Sequence, residues 1–255
     1  MWKTVEQVFK QLARDSEVRA VVISGSAEAE AHHFSAGIDL GSLFGAMAAE
    51  KGKTDFARRA MQMRAMILEL QEAFTAIEAC PQPVIAAIDG FCIGGGIDLI
   101  TATDIRLASQ SAVFSIKEAA VGLAADVGTL QRLPKVVGHG SRVRELAFTG
   151  DNFSAADALE IGLVSRVAAD TPALMADAFG VASRIAANSP IAVAGTKATL
   201  NYARDHSVAD GLQQIAQWNM AMIQGQDIPN VAQAMAKKEQ PTFDDLYAPI
   251  LGGKQ

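Results

Sequence analysis

The chain has 255 residues, enough for one large domain or a domain with a small appendage; half of the residues are hydrophobic and a fifth are charged. Its net charge of −6 argues against nucleic acid as the main partner, and Cys80 and Cys92 are too few for a disulfide framework. No segment is apolar over the length of a bilayer, and the N-terminus does not resemble a signal peptide. We therefore expect a soluble intracellular protein without membrane association, in the cytoplasm or an organelle matrix (mitochondrion or peroxisome).

The first part of the chain predicts helix, strand and helix in turn. An amphipathic helix begins almost at residue 1, with Val5, Phe9 and Leu12 on one side. Residues 19–25 form a short β-rich run that ends in a turn, and residues 56–79 form a long helical pattern rich in methionine. Because methionine packs adaptably, its expected role in this helix is to fill the core.

The central part predicts an α/β layer, because strands, glycine turns and helices alternate there. Residues 84–88 predict a strand, a glycine run at 94–96 leads into a helix, and two short strands follow at 105–108 and 112–116. Beyond Thr129 the pattern predicts helices at 130–137, 141–149, 154–161, 171–187, 190–204 and 207–224, with a brief strand at 164–167. We expect an α/β core over residues 1–187 and a helical region over residues 188–255.

Two glycine-containing turns are candidates for binding a carbonyl oxygen. The run Gly94–Gly96 follows one predicted strand, and Phe34-Ser-Ala-Gly-Ile-Asp39 follows the strand before it. Two backbone N–H groups that converge on one oxygen would form an oxyanion hole. The alternatives are tight packing of helix on sheet for the glycine run and a helix cap for Asp39. The run lacks both the dinucleotide fingerprint and the P-loop lysine, so phosphate binding is weakly supported.

Three acids lie in the most apolar third of the chain: Asp98, Glu118 and Asp126. Apolar surroundings raise the pKa of a carboxyl group, which prepares it to exchange protons near neutral pH. A structural alternative is that Glu118 pairs with a surface lysine and Asp126 caps the helix that opens at Thr129. Spacing alone favours this alternative.

No nucleophile or metal-ligand pattern competes with the acids. The histidines, which are His32, His33, His139 and His206, lie in polar segments and show no ligand spacing. Cys92 flanks the glycine run without a basic partner and is expected to be a small buried hydrophobe. We expect no metal site.

Two longer segments carry a family resemblance. The residues CPQPVIAAIDGFCIGGGIDLITATDIRLAS and FSAGIDL resemble the enoyl-CoA hydratase/isomerase (crotonase) superfamily. Within it, GGGIDL and IKEAAVGLAADVGTLQRL are most similar to the Δ3,5-Δ2,4-dienoyl-CoA isomerases, because Asp126 adds a third acid where hydratases carry a glycine-rich motif. The resemblance implies a crotonase-like spiral of ββα units with a helical C-terminal trimerisation region.

The resemblance also assigns roles to the three acids. Glu118 would be the base at C2 of a 3,5-dienoyl-CoA, and Asp126 would be the acid at C6. Asp98 would lie between them and polarise or orient the delocalised dienolate.

The backbone roles follow from the same resemblance. The amides of Ile38 and Gly95 would bind the thioester oxygen, Ala36 would offer its carbonyl to the adenine end of CoA, and Gly94 and Gly96 would line the substrate. No cofactor is implied, since CoA is part of the substrate.

The implied process is fatty-acid β-oxidation, and the implied assembly is a homotrimer or a dimer of trimers. The family's first strands have no counterpart before the opening helix, so the N-terminal strands are apparently missing. Two other functions stay open: an enoyl-CoA hydratase that uses Asp98 and Glu118 on one water, and a non-catalytic acyl-CoA-binding relative.

Overall fold

The computed structural model describes residues 2–26, 33–37, 41, 45 and 55–247 of the chain. The described helices are α1 (Trp2–Leu12), α2 (Phe56–Ala79), α3 (Gly95–Thr101), α4 (Thr129–Val136), α5 (Gly140–Thr149), α6 (Ala155–Glu160), α7 (Thr171–Ala186), α8 (Pro190–Ala203), α9 (Val208–Met222) and α10 (Asp227–Lys237). The described strands are β1 (Val21–Ser24), β2 (Val84–Ile88), β3 (Phe91–Ile93), β4 (Ile105–Ser109), β5 (Val113–Ser115), β6 (Phe153–Ser154) and β7 (Arg166–Ala168), and a 3₁₀ turn covers Ala119–Val121.

Up to β5, the chain contributes segments to two sheets alternately, and β6 then joins the same sheet as β5. The strands β1, β2, β4 and β7 form a parallel sheet in that spatial order, and β3, β5 and β6 form the second sheet. Ser35, which follows β1, makes a parallel bridge to Cys92 on β3 and so joins the second sheet as well. Successive circuits of the chain therefore give one segment to each sheet before a helix or turn, as in a spiral of ββα units. The predicted α/β class is confirmed.

Strand β2 lies at the centre of the fold, and all of its side chains are buried. A parallel sheet needs cover on both faces, and alternate β2 side chains point to opposite helical layers. Val84 packs with Phe74 of α2 and with residues of α1, whereas Ile85 packs with Leu174 of α7. The end of β2 and the turns that follow are thus held from both sides.

The C-terminal helices are anchored to the core by polar contacts. The Lys197 ammonium of α8 is buried and lies 2.7 Å from a carboxylate oxygen of Asp104. The Asn201 side-chain amide donates to the carbonyl of Glu78 at the end of α2. By contrast, α9 buries none of its side chains. The expected boundary between the α/β core and the helical region at residue 187 stays a prediction.

Across the described part of the chain, every helix is too short or too polar to cross a membrane.

Most predicted elements lie within a few residues of their expected bounds, but one burial expectation is wrong and some short elements, including β6, were not predicted. The expectation that the methionines of α2 fill the core is wrong in this chain: Met61 is 66% exposed and Met66 is 37% exposed. The cause is that α2 buries side chains only from Ala73 onward, where it crosses the sheet. Strand β3 was not predicted because three residues after a turn show no periodicity, and α10 was not predicted because Pro229 interrupts its pattern, although proline is tolerated in a first turn.

Candidate active site

The glycine run forms the turn from β3 into α3, and Gly94 and Gly96 each face a neighbour that leaves no room for a side chain. Gly94 has φ +53°, and a Cβ there would lie 3.2 Å from Oε1 of Glu118. A Cβ on Gly96 would lie 3.0 Å from Cβ of Ser35. The Gly94 N–H donates to the carbonyl of Ser115 at 2.9 Å. The backbone therefore approaches the Glu118 carboxyl group closely.

The second glycine turn lies beside the first, as the sequence predicts. Ser35 donates its N–H to the Phe91 carbonyl and accepts from the Ile93 N–H. Gly37 follows with φ +94°, and a Cβ there would lie 3.2 Å from the Ile93 carbonyl oxygen. Ala36 between them is exposed.

Of the two amides expected to form the oxyanion hole, one lies in the described part of the chain. Gly95 begins α3, where N–H groups have no partner within the helix, and no described residue accepts from its N–H. Ile38 and Asp39 lie outside the described residues. The pairing of the two turns is therefore observed up to Gly37, and the role of the Ile38 amide stays a prediction.

Asp98 lies on the buried side of α3 and is fully inaccessible to solvent. Its Oδ1 accepts from the Thr129 N–H at 2.6 Å and from the Thr129 hydroxyl at 2.7 Å, while Oδ2 is buried with no hydrogen-bond partner among the described residues. Burial raises the pKa of the Asp98 carboxyl group, and the nearby charge of Asp126 raises it further, against the lowering effect of the Thr129 donors and the Arg132 charge. The alternative in which Asp126 caps the helix at Thr129 is wrong, because Asp98 accepts that N–H.

Glu118 begins the 3₁₀ turn after β5 and lies against the glycine run. Its Oε2 is buried and lacks a hydrogen-bond partner among the described residues. Burial raises the pKa of Glu118, and the charges of Asp98 and Asp126 act in the same direction. Among the described residues, no lysine pairs with Glu118: the adjacent Lys117 ammonium donates to the Gly150 carbonyl instead.

Asp126 departs from its prediction, because its side chain is exposed rather than surrounded by apolar groups. It lies in the loop between the 3₁₀ turn and α4, where its own carbonyl accepts from the Gln71 side-chain amide at 2.6 Å. Its charge nevertheless acts on both Asp98 and Glu118. The structure thus brings the three predicted acids together: two have a buried oxygen without a partner among the described residues, and one lies at the solvent side.

Arg132 is a charged neighbour of the site that sequence reasoning did not identify. A Cβ on Gly128, which has φ +141°, would collide with the Arg132 guanidinium group. Arg132 forms an ion pair with Glu78 at 3.0 Å, and Arg204 of the C-terminal region pairs with the same carboxylate. Arg132 lies three residues after Thr129, so both side chains lie on one side of α4. This spacing was the sequence feature that could have indicated that Thr129 and Arg132 both belong to the site.

Two other candidate residues lie on or against β3. Cys92 is fully buried, which confirms its expected role as a small hydrophobe, and burial raises the pKa of its thiol. The His33 ring packs on Phe91 with ring centroids 4.7 Å apart. Within the described ranges, no group of three or more His, Cys, Asp or Glu side chains is arranged to hold a metal ion.

Comparison with known proteins identifies the family of this chain. A family model described as enoyl-CoA hydratase/isomerase matches residues 1–246. The chain belongs to that family. It is 48% identical over 239 residues to the human mitochondrial Delta(3,5)-Delta(2,4)-dienoyl-CoA isomerase, a match that covers 94% of this chain and 71% of the human protein. The peroxisomal isomerase of the same name from Arabidopsis thaliana is 42% identical, with 94% of this chain and 84% of that protein covered.

Solved structures of the enoyl-CoA hydratase/isomerase family share the fold. The crystal structure of an enoyl-CoA hydratase from Bacillus anthracis matches with a TM-score of 0.82 and 31% identity, covering 95% of this chain and 88% of that one. The expected crotonase-like fold is therefore confirmed.

Proposed function

We propose that this chain isomerises 3,5-dienoyl-CoA to 2,4-dienoyl-CoA by removing a proton from C2 and adding a proton at C6. The observation that carries the proposal is the third carboxyl group: Asp126 stands close enough to Asp98 and Glu118 for its charge to raise the pKa of both. A hydratase needs two acids on one water, whereas a proton shift along a conjugated chain needs a base and an acid at separate carbons. The relatives named dienoyl-CoA isomerases support the same choice.

Glu118 is proposed as the base at C2. Its buried Oε2 has no partner among the described residues and is free to accept a proton, and its raised pKa brings its basicity closer to that needed near neutral pH. It lies against Gly94, next to the Gly95 N–H that is proposed to bind the thioester oxygen. Base and oxyanion donor thus flank the C1–C2 bond from which the proton leaves.

The electrons of the broken C2–H bond delocalise over the thioester oxygen and the diene. Asp126 then donates a proton to C6, which leaves double bonds at C2 and C4, and solvent restores the two carboxyl groups to their starting states. Asp98, buried between the other two acids in the proposed arrangement, polarises or orients the dienolate. The exposure of Asp126 supports its exchange with solvent.

Binding of the CoA portion is proposed at the two glycine turns. The Ile38 amide would be the second oxyanion donor, the Ala36 carbonyl would accept from the adenine end, and Gly94 and Gly96 would line the thioester. The exposure of Ala36 beside these turns supports this placement. Because the reaction moves a proton and transfers no electrons between molecules, we propose that it uses no metal or redox cofactor, CoA being part of the substrate.

A homotrimer or dimer of trimers is the proposed assembly, with residues 188–255 packing on a neighbouring copy. The support is the exposed apolar side chains of the C-terminal helices, which include Leu200, Leu212, Met220 and Met235. The proposed setting is fatty-acid β-oxidation in an intracellular compartment, without nucleic acid as a partner, in keeping with the net charge of −6.

The test follows both proton transfers separately. 3,5-Octadienoyl-CoA is incubated with each variant in D₂O; absorbance reports the 2,4-dienoyl product, and mass spectrometry reports deuterium at C2 of recovered substrate. We expect Asp126→Asn to exchange the C2 proton without forming product, and Glu118→Gln to do neither. Asp244→Asn, which neutralises an exposed carboxylate of the C-terminal segment, is the matched control and should retain both activities.

Three outcomes would contradict the proposal. If Asp126→Asn isomerises at the wild-type rate, Asp126 is not the acid. If the wild type hydrates crotonyl-CoA but does not isomerise the dienoyl substrate, the chain is a hydratase. If it binds the thioester without turnover, it is a non-catalytic relative.

A further inference from the structure

The two oxygens of the Asp98 carboxyl group have opposite surroundings. Oδ1 accepts two hydrogen bonds from one residue, the N–H and the hydroxyl of Thr129, at 2.6 and 2.7 Å. Oδ2 is as deeply buried but has no partner among the described residues. A buried polar atom without a partner is uncommon and calls for a functional or structural reason.

The position of Thr129 at the start of α4 makes both of its donors available for this contact. It is the first residue of α4, so its N–H has no acceptor within the helix, and its side chain is fully buried against α3. Gly128, the preceding residue, has φ +141°, a conformation that suits glycine and turns the Thr129 N–H toward Asp98. The hydroxyl and N–H of one residue therefore converge on a single oxygen.

We propose that Thr129 is the positioning residue of the acid centre: it occupies Oδ1 of Asp98, fixes the plane of the carboxyl group and leaves Oδ2 as the atom that contacts the substrate. The inference rests on the proposed isomerase function. When Asp98 carries a proton, that proton lies on Oδ2, because Oδ1 already accepts two donors. Asp98 then donates a hydrogen bond to the delocalised dienolate and needs no net proton transfer of its own.

Titratable groups on neighbouring elements act on Asp98 together with Thr129 or respond to its charge. Asp126 on the following loop raises the pKa of Asp98, and Arg132 on α4 lowers it. Glu118 on the 3₁₀ turn and Cys92 on β3 both respond to the Asp98 charge. Among these neighbours in the described part of the chain, Thr129 alone donates hydrogen bonds to the carboxyl group.

The experiment compares Thr129→Val, Thr129→Ser and Thr103→Val by steady-state kinetics on 3,5-octadienoyl-CoA across pH. Valine keeps the volume and removes the hydroxyl donor, whereas serine keeps the donor. Thr103 is a matched control because it is also buried and its hydroxyl bonds to the Ile100 carbonyl, away from the acids. We expect Thr129→Val to lower kcat about tenfold with KM changed less than about twofold, which corresponds to the loss of one well-placed interaction. Thr129→Ser should stay within about threefold of the wild type, and Thr103→Val should keep its kcat and pH profile.

A second readout does not depend on activity. Because the hydroxyl stabilises the charged form of Asp98, its removal raises the pKa of Asp98 further, and the drop in urea midpoint caused by Thr129→Val should be larger at pH 8 than at pH 5. Thr103→Val should show the same drop at both values. If the wild type fails to isomerise, the proposed function is wrong and this readout still decides the role of Thr129. A pH-independent drop, a wild-type kcat for Thr129→Val, or equal kinetic losses in the valine and serine variants would overturn the inference.

Discussion

Replacing Asp98 by asparagine should stabilise the fold at neutral and alkaline pH while it impairs the reaction. Asparagine keeps the size of the side chain and an oxygen that can accept both Thr129 donors. What it removes is a charge in a fully buried position. We expect the free energy of unfolding to rise by about 2 kcal/mol at pH 8, because removal of the buried charge outweighs the weakening of the two hydrogen bonds from Thr129.

The first term opposes the variant. Oδ1 of Asp98 accepts at 2.6 and 2.7 Å from Thr129, and a hydrogen bond to a charged acceptor contributes about 1 kcal/mol more than one to a neutral acceptor. Two such bonds lose about 2 kcal/mol. The second term favours the variant, because burial of a carboxylate whose Oδ2 has no described partner costs several kcal/mol, about 6, whereas the buried amide NH₂ that replaces Oδ2 costs about 2, which leaves a net gain of about 4 kcal/mol. The raised pKa of Asp98 shows that burial outweighs the hydrogen bonds.

The sign of the pH dependence follows from the same shift. Since the folded protein holds the Asp98 proton more tightly than the unfolded chain, whose pKa is near 3.8, wild-type stability falls as pH rises above that value toward the folded pKa. The asparagine variant does not share this loss, so the difference in unfolding free energy between the variant and the wild type should grow between pH 4 and pH 8.

Urea unfolding at fixed protomer concentration measures this difference, since assembly also contributes to apparent stability. Asp244→Asn removes an exposed charge and should change stability by less than about 0.5 kcal/mol. The reasoning is refuted if Asp98→Asn is less stable than the wild type at pH 8, or if the difference is the same at both ends of the pH range.

Three other predictions concern the same region and its support. Gly94→Ala should lower kcat about tenfold or more, because it places a Cβ 3.2 Å from Oε1 of Glu118 at φ +53°; product formation from a dienoyl-CoA measures this, and an unchanged kcat would contradict the close approach. The kcat/KM of the wild type should fall with decreasing pH at a value above the ordinary pKa of 4.5, since Glu118 must be ionised to act as a base and its pKa is raised; a profile that is flat down to pH 4.5 would exclude that role. Lys197→Met should cost about 3 kcal/mol in urea unfolding, because it leaves the Asp104 carboxylate, 24% exposed, without its cation; a loss below about 1 kcal/mol would show that solvent replaces the lysine.

The features that the sequence predicts well are those set by local pattern. The run of five buried residues in β2 and the glycines before α3 are visible in adjacent residues, and so is the burial of Asp98 among apolar neighbours. The exposure of Asp126 was not predictable in this way. It depends on how the loop after the 3₁₀ turn lies against Gln71 of α2, a contact between residues 55 positions apart.

The pairing of Asp98 with Thr129 shows the same limit. The two residues are 31 positions apart, and the sequence suggested Asp126 as the cap because it is nearer to the helix. Proximity along the chain favours a local cap, but the fold brings α3 against the start of α4 and supplies a carboxylate that is already buried. The tertiary structure therefore decides which acid accepts the N–H.

Hydrogen bonding separates the structural acids of this fold from those that we propose to be functional. The Asp104 carboxylate receives the Lys197 ammonium and the Val84 N–H, and Asp89 accepts from nearby hydroxyl groups, so their charges are neutralised or solvated by the protein. Asp98 and Glu118 each keep one buried oxygen without a described partner. Such an arrangement lowers stability and would be replaced by amides if the fold alone were selected. Both oxygens belong to acids around one glycine turn, an arrangement that fits the proposed contact of a single substrate with the two carboxyl groups.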